Sequence, residues 1–140
     1  MQDTAENIQE RLKGLVENGG YPKSFAIIHR GKIAGTVGFN EINKSAKIGE
    51  IGYWLGQEFQ GKGIMTKAVK ALIEYGFKDL GLNRVEAYAA SGNSKSRDLI
   101  ERLGFTQEGI IRQAEWLYDH YVDHVVYGLL AEEWKCIKQD

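Results

Sequence analysis

The spacing of apolar residues along this chain changes several times between a helical period and a strand period. Near the N-terminus, Ile8, Leu12 and Leu15 recur at helical spacing, and the pair Gly19–Gly20 follows them as a stop signal. Three strand-like runs come next, separated by the turn segments RGK and NKSAK; the runs are SFAIIH, IAGTVGFNEI and IGEIGYWL. The pattern predicts one helix and then an antiparallel meander of three strands.

In the second half of the chain, helical and strand patterns alternate. An apolar stripe of helical spacing runs from Ala68 to Phe77, and this helix should end near Gly81. It is followed by the strand-like run RVEAYAA, the short helical segment SKSRDLIERLG, and two further strand-like runs, GIIRQAEWLYDH and YVDHVVYGLLA. Strands that alternate with helices after a meander indicate a mixed sheet with helices packed on it, an α+β fold.

Composition and charge narrow the functional classes. The length of 140 residues predicts a single domain over residues 1–140, and the formal net charge of −1 argues against a broad nucleic-acid-binding surface. The first residues, MQDTAENIQERLKGL, carry acids and amides where a signal peptide needs an apolar core, and no run approaches the length of a membrane span. The single cysteine, Cys136, suits a reducing compartment. We therefore expect a cytoplasmic protein that binds neither nucleic acid nor membrane.

A glycine-rich turn, FQGKGIM, joins the third strand to the second helix and predicts a phosphate site. The nucleoside triphosphate pattern G-x-x-x-x-G-K-[ST] is nearly matched, but its last position is Gly63, which has no hydroxyl for magnesium. A plain connection between strand and helix is a second alternative. A diphosphate without metal fits better, because consecutive backbone amides, with the helix from Thr66 behind them, can surround an anion. These amides belong to Gln60, Gly61, Lys62, Gly63, Ile64 and Met65.

Three segments resemble one family. YWLGQEFQGKGIMTKAV resembles the acetyl-coenzyme A (acetyl-CoA) pyrophosphate loop of the GNAT N-acetyltransferases, Q/R-x-x-G-x-G/A, with Gln60 and Gly63 in place and Met65 at the last small position. In the RimJ/RimL subgroup, which acetylates protein N-termini and related amines, a larger residue there is familiar. NRVEAYAASGNSKSRDLIERLGFTQEG resembles the subgroup's N-x-x-S segment, and RQAEWLYDHYVDHVVYGLLAEEW its C-terminal hairpin. The resemblance covers the chain from about Phe25 to Trp134.

The resemblance implies a GNAT-like fold, a mixed α/β sandwich whose central, mostly antiparallel sheet is flanked by helices. Family members begin with a strand and a further helix that this sequence lacks, so we expect SFAIIH to be an unprotected edge strand. Part of the acceptor pocket would then be absent, whether the chain is a natural short relative or a truncated one. An exposed edge and an apolar C-terminal hairpin make a homodimer plausible.

The implied activity is direct transfer of an acetyl group from acetyl-CoA to an amine, without a metal. An N-terminal α-amine, with a pKa of about 7.7–8.0, is more often neutral at pH 7 than a lysine with a pKa of about 10.4, so it demands less of a base. We therefore expect a protein or peptide N-terminus as acceptor. A small-molecule amine, such as a polyamine or an antibiotic, is an alternative, as is an acyl-CoA-binding module without catalysis.

The resemblance places the subgroup's proposed general base at Glu115. A carboxylate there could instead pair with an exposed arginine such as Arg112. Glu50 is the second candidate, although strand alternation puts it on the face opposite Ile51, where it could be only an outward charge. His120 and His124 lie in a strand-like run, where four residues span roughly 13 Å, so we expect no metal site.

The resemblance also assigns the remaining site residues. It puts the hydroxyl of Ser96 beside the coenzyme sulfur as general acid, although a serine at a helix start could only cap backbone amides. Asn93 would bind the pantetheine or its loop, and a backbone amide near Trp54 or Leu55 would stabilise the oxyanion. The expected coenzyme-binding residues are Trp54, Leu55, Gln60, Gly61, Lys62, Gly63, Ile64, Met65, Thr66, Asn93 and Ser96.

Overall fold

The computed structural model describes residues 23–138, and the helix predicted near the N-terminus lies outside these residues. The described part of the chain contains the expected three-strand meander followed by alternating helices and strands. The elements are β1 (Ser24–His29), β2 (Lys32–Asn43), β3 (Ile48–Leu55), α1 (Ile64–Lys78), β4 (Arg84–Ala90), α2 (Ser94–Arg102), β5 (Thr106–Leu117), β6 (His120–Leu130) and α3 (Ala131–Lys138).

Six strands form one sheet in the order β1-β2-β3-β4-β6-β5. Four of the neighbouring pairs are antiparallel, and β3 and β4 alone run parallel. The mixed, mostly antiparallel sheet expected from the sequence is therefore confirmed. Within residues 23–138, β1 and β5 are the edge strands.

One face of the sheet carries the hydrophobic core, to which all three helices contribute. Val85, Ala87 and Ala89 of β4 alternate with less buried residues, so the period of two turns one side of the strand inward. The apolar stripe of α1 is buried with them, as its helical spacing predicts. Each large apolar side chain buried here stabilises the fold by about 1.5–3 kcal/mol.

The C-terminal helix α3 is a correction to the sequence prediction, which continued the last strand through Ala131 and proposed no helix after it. The strand ends at Leu130, whose N–H donates to the Glu133 carboxylate at 2.9 Å, and this contact turns the chain into a helix. Trp134 is only 4% exposed and donates its indole N–H to Glu74 of α1 at 2.8 Å. The short segment AEEWKCIK therefore packs its apolar side on α1, a long-range contact that local pattern does not reveal.

An opening between β3 and β4 is the feature that positions the site. The two strands are paired only at Ile48–Arg84, Gly49–Val85 and Glu50–Glu86. Beyond Glu50, β3 continues to Leu55 and β4 continues to Ala90 without pairing to each other. We call this V-shaped opening the strand gap.

A bidentate ion pair crosses β6 and ties the β5–β6 hairpin to β4. The Arg84 guanidinium donates to the Glu108 carboxylate at 2.8 and 3.0 Å, and it also donates to Glu86 at 3.0 Å. Gly128 of β6 lies directly beneath, because a Cβ there would come within 2.3 Å of both Arg84 Nη1 and Glu108 Oε2. The hydrogen bond from Arg84, helped by its charge and opposed by burial, lowers the pKa of Glu108 below its ordinary value, so the pair stabilises the ionised form.

Candidate active site

Two cavities meet at the strand gap. A larger one of about 1040 Å³ lies on the helix side, between the end of β3, the glycine turn, the first turn of α1 and the whole length of α2. A smaller one of about 690 Å³ lies on the opposite face, among side chains of β2, β3, β4 and the hairpin. We call them the helix-side cavity and the open-face cavity. Four residues line both of them: Tyr53, Trp54, Asn93 and Ser96.

The helix-side cavity brings together nearly all of the residues expected to bind the coenzyme. Lys62 is the exception, because its side chain is exposed and is not part of the lining. From α2, sequence reasoning missed two basic residues, Lys95 and Arg102, and two acidic ones, Asp98 and Glu101, so the charges that this helix adds to the lining balance. The expected residues that line this cavity are Trp54, Leu55, Gln60, Gly61, Gly63, Ile64, Met65, Thr66, Asn93 and Ser96.

The glycine turn presents the start of α1 to this cavity. Gly61 and Gly63 have left-handed φ angles of 79° and 75°, which glycine adopts without steric cost. Gly63 is the N-cap of α1 and offers no side chain, so the first-turn amides remain available to an anion. Gln60 holds the turn to the end of β3 by donating its side-chain amide to the Leu55 carbonyl at 3.2 Å. The helix begins at Ile64, two residues before the position that the sequence suggested.

Two hydroxyl groups meet where the cavities join. The Ser96 hydroxyl lies 2.5 Å from the Tyr53 phenol, although the two residues are 43 positions apart. Ser96 is not the cap of α2, because Asn93 is the N-cap and its side-chain oxygen accepts the Ser96 N–H at 3.2 Å. The Ser96 hydroxyl is therefore free of capping and faces both cavities. Burial raises the pKa of Tyr53 above its ordinary value, against a smaller opposing effect of the Ser96 hydrogen bond.

The open-face cavity is acidic. Its lining includes the carboxylates of Glu50 and Glu115, and among the described residues that line it there is no lysine or arginine. Glu50 is half-buried and accepts a long hydrogen bond of 3.4 Å from the Asn40 amide, so it faces the cavity and is not simply an outward charge. Tyr88 and His124 also belong to the polar lining. A cavity of this charge favours a cationic ligand such as an amine.

Glu115 pairs with a histidine and not with an arginine. Its carboxylate lies 2.9 Å from Nε2 of His124, whereas the alternative partner considered from sequence was Arg112. Besides the charged residues of α2, sequence reasoning did not place His124 or Tyr53 in the site. The register of the hairpin contains a signal for His124, since Leu117 opposes His120 and Glu115 then opposes Val122, on the same face as His124. Tyr53 leaves no comparable signal, because its contact with α2 depends on the tertiary fold.

Two further findings concern metal-binding groups and membrane-spanning helices. Within residues 23–138, no group of three or more His, Cys, Asp or Glu side chains is arranged to hold a metal ion. No helix in the same range combines the length and the apolar character needed to cross a membrane. The site combines the Ser96 hydroxyl at the junction of the two cavities with the carboxylates of Glu50 and Glu115 in the open-face cavity.

Comparisons with known proteins agree with this geometry. A family model described as an acetyltransferase (GNAT) domain matches residues 1–106. The chain is 41% identical over 109 residues to YdaF of Bacillus subtilis (strain 168), covering 78% of this chain and 60% of YdaF. It is 34% identical over 131 residues to ribosomal-protein-serine acetyltransferase of Escherichia coli (strain K12), covering 94% of this chain and 72% of that protein.

A solved structure gives the same result in three dimensions. RimL, described as a ribosomal L7/L12 alpha-N-protein acetyltransferase in complex with coenzyme A, is 30% identical to this chain, with a TM-score of 0.76. The match covers 91% of this chain and 69% of RimL. The chain spans only 60% of the length of YdaF. The residues matched by the family model nevertheless include the glycine turn, the strand gap and α2. The family match and these identities show that the chain belongs to the GNAT acetyltransferase family.

Proposed function

We propose that the chain is an acetyl-CoA-dependent N-acetyltransferase that acts on the α-amine of a protein or peptide N-terminus. The observation that carries the proposal is the junction of two cavities at the strand gap, with the Ser96 hydroxyl on the wall they share. One cavity has the helix N-terminus and glycine turn that suit a diphosphate, and the other has the carboxylates that suit an amine.

The donor binds in the helix-side cavity. The pyrophosphate of acetyl-CoA lies on the first-turn amides of α1 beside Gly61 and Gly63, where the helix dipole favours negative charge. The pantetheine enters the strand gap, where β3 and β4 have backbone groups without a partner in the other strand. The thioester then lies beside Ser96, and a backbone N–H near Trp54 or Leu55 stabilises the oxyanion.

The acceptor amine approaches from the open-face cavity and attacks the thioester carbonyl. A C–N bond forms, the C–S bond breaks, and the amine proton passes to Glu115 or to a water held beside it. The Ser96 hydroxyl protonates the departing thiolate and regains a proton from solvent. A tyrosine phenol is protonated at neutral pH, so Tyr53 can donate to Ser96, which leaves the Ser96 proton available to the sulfur.

The acceptor class rests on charge and on relatives. The acidic open-face cavity favours an amine, and an α-amine is neutral at pH 7 far more often than a lysine side chain. The Escherichia coli relative and RimL are both named for ribosomal proteins, and RimL for alpha-N acetylation. These names support a protein N-terminus, whereas the similar spermidine N-acetyltransferase SpeG of Vibrio cholerae, 25% identical with a TM-score of 0.76, supports the small-amine alternative.

The decisive experiment incubates the chain with acetyl-CoA and a set of acceptors, and measures both free thiol and acetylated product. The acceptors are peptides with a free serine or alanine N-terminus, the same peptides with a blocked N-terminus and an internal lysine, and spermidine. We expect acetylation of free N-termini alone, located by mass spectrometry. Turnover of spermidine alone would favour the small-amine alternative. Coenzyme binding in a thermal shift without transfer to any acceptor would favour an acyl-CoA-binding module.

A further inference from the structure

Strand β5 carries an unusual insertion next to the open-face cavity. Ile111 of β5 opposes His124 of β6, and the next paired position is Glu115 opposite Val122. Residues 112–114 of β5 therefore lie against Asp123 alone, which makes a β-bulge with two extra residues. Gln113, at the centre of the bulge, has a left-handed φ of 49°.

The bulge decides which side chain reaches the cavity. In a regular ladder, Gln113 would oppose Val122, and Glu115 would lie two positions further toward the hairpin turn. Because side chains alternate with a period of two, two extra residues move Glu115 into this place without changing the face it occupies. One extra residue would have turned the carboxylate away. The result is the 2.9 Å contact between Glu115 and Nε2 of His124.

Asp123 holds the bulge in place. Its carboxylate accepts the Gln113 N–H at 2.8 Å, which satisfies the amide that the bulge removes from the ladder. Its main-chain carbonyl accepts the Ser91 N–H at 2.9 Å, from the loop that leads to Asn93 and Ser96. Asp123 is therefore anchored to the loop before α2 by its backbone and to β5 by its side chain. It connects the segment that carries Ser96 with the segment that carries Glu115.

We propose that Asp123 is a positioning residue of the acceptor site: by holding the bulge of β5, it places the Glu115 carboxylate beside His124 at the wall of the open-face cavity. The proposal rests on the proposed function in that the amine acceptor is what Glu115 meets there. Asp123 itself lines neither cavity. Without the contact from Asp123, the exposed strand β5 would rearrange toward a regular ladder with β6. Glu115 would then leave the cavity wall.

The kinetic test compares Asp123→Ala with Asp123→Asn. Asparagine keeps an oxygen that can accept the Gln113 N–H, whereas alanine does not. We expect Asp123→Ala to lower kcat/KM for the acceptor at least tenfold with little change in KM for acetyl-CoA, and Asp123→Asn to recover most of the loss. In a Glu115→Ala background, Asp123→Ala should add less than a twofold loss, because the two residues act as one unit. Asp119→Ala, at the exposed hairpin turn, is the matched control.

A second readout does not depend on activity. The Nε2 resonance of His124 in a long-range ¹H–¹⁵N spectrum should move in Glu115→Ala, and Asp123→Ala should move it in the same direction while Asp119→Ala leaves it in place. A His124 resonance that Glu115→Ala moves and Asp123→Ala does not would overturn the positioning role, as would equal damage by alanine and asparagine at position 123. Absence of transfer by the unmodified chain would refute the proposed function and leave this spectroscopic test standing.

Discussion

The hydroxyl groups of Tyr53 and Ser96 are the only side-chain hydroxyls of the described residues that line both cavities. In the proposed reaction Ser96 is the acid, and the 2.5 Å contact makes Tyr53 its hydrogen-bond partner. Ser96→Ala should lower kcat about 100-fold, the lower end of the range for general acid–base catalysis, because the thiolate then leaves unprotonated.

Tyr53→Phe should reduce kcat by a smaller factor than Ser96→Ala, since it removes the partner of Ser96 and not the acid itself. Neither variant should weaken acetyl-CoA binding more than about threefold, because both hydroxyls act at the sulfur and not on the phosphates. Steady-state kinetics and calorimetric titration with acetyl-CoA provide the measurement. Tyr118→Phe, at a side chain that is 91% exposed, is the control. Full activity of Ser96→Ala would remove Ser96 from the mechanism.

Substitution can also distinguish the roles of the two carboxylates of the open-face cavity, Glu115 and Glu50. Glu115→Gln removes the base while keeping the shape of the side chain, so kcat should fall about 100-fold. Glu50→Gln should instead raise KM for the acceptor, because Glu50 lies at the closed end of the strand gap and contributes charge more than proton transfer. Glu132→Gln on the exposed surface of α3 is the matched control. The reverse pattern would make Glu50 the base.

How far the site could be predicted at this scale depends on the distance between residues in sequence. The residues of the glycine turn are contiguous, so a local pattern was sufficient to group them. Tyr53 and Ser96 come together only through the fold, and no local pattern pairs them. The roles of Glu115, Glu50 and Ser96 stay predictions until the variants are measured.

At the scale of elements, the ion pair that crosses β6 should be visible in stability. Gly128→Ala would push Arg84 and Glu108 apart, since the added Cβ would lie 2.3 Å from each. With the Glu108 side chain 40% exposed, the loss should be about 1 kcal/mol at pH 7. Urea unfolding measures it, with Gly109→Ala as control because a Cβ there meets nothing within 4 Å.

The loss of stability caused by Gly128→Ala should depend on pH. The Arg84 contact lowers the folded-state pKa of Glu108, so the pair stabilises the fold above the unfolded pKa of a glutamate and this contribution is lost as the pH falls through the lowered value. The difference between the unmodified chain and Gly128→Ala should therefore shrink below about pH 4. A difference that stays constant down to pH 2 would mean that the cost arises from packing and not from the ion pair.

The glycine turn gives a second expectation for an element. Gly63→Ala forces a left-handed φ of 75° on a residue with a Cβ, which costs about 1–2 kcal/mol. The turn should then adjust, and the Kd for acetyl-CoA should rise about tenfold, because the first-turn amides of α1 no longer face the phosphates. Gly31→Ala is the matched control, with a φ of 80° in the β1–β2 turn outside both cavities. An equal loss of coenzyme affinity in both variants would show that general destabilisation is the cause.

The elements themselves followed largely from hydrophobic periodicity. The meander, α1, β4, α2 and the hairpin each have a local pattern with turn signals at their ends. The helix α3 was missed because no local pattern marks the end of β6. The change of direction at Leu130 is made by a contact with Glu133 and by packing of Trp134 on α1. The parallel pairing of β3 with β4 likewise depends on contacts that no local pattern contains.

At the scale of the whole molecule, the two cavities lie on opposite faces of one sheet and communicate through the strand gap. Asn40, Glu50 and Tyr88 of the open face alternate with the buried Phe39, Ile51 and Ala87, so the sheet itself separates the two entrances. Neither substrate has to pass through the place of the other.

This arrangement has a consequence for the order of events in a catalytic cycle. Two substrates that enter from opposite faces of the sheet can be bound at the same time. The acetyl group can then pass directly from one to the other, and no acetylated form of the protein needs to accumulate. Initial velocities measured against acetyl-CoA at several fixed acceptor concentrations should give intersecting double-reciprocal lines, and coenzyme A should not form a burst without acceptor. Parallel lines would instead indicate a covalent acetyl-enzyme intermediate. The residues shared by the two cavities would then be the first candidates for the acetylated group.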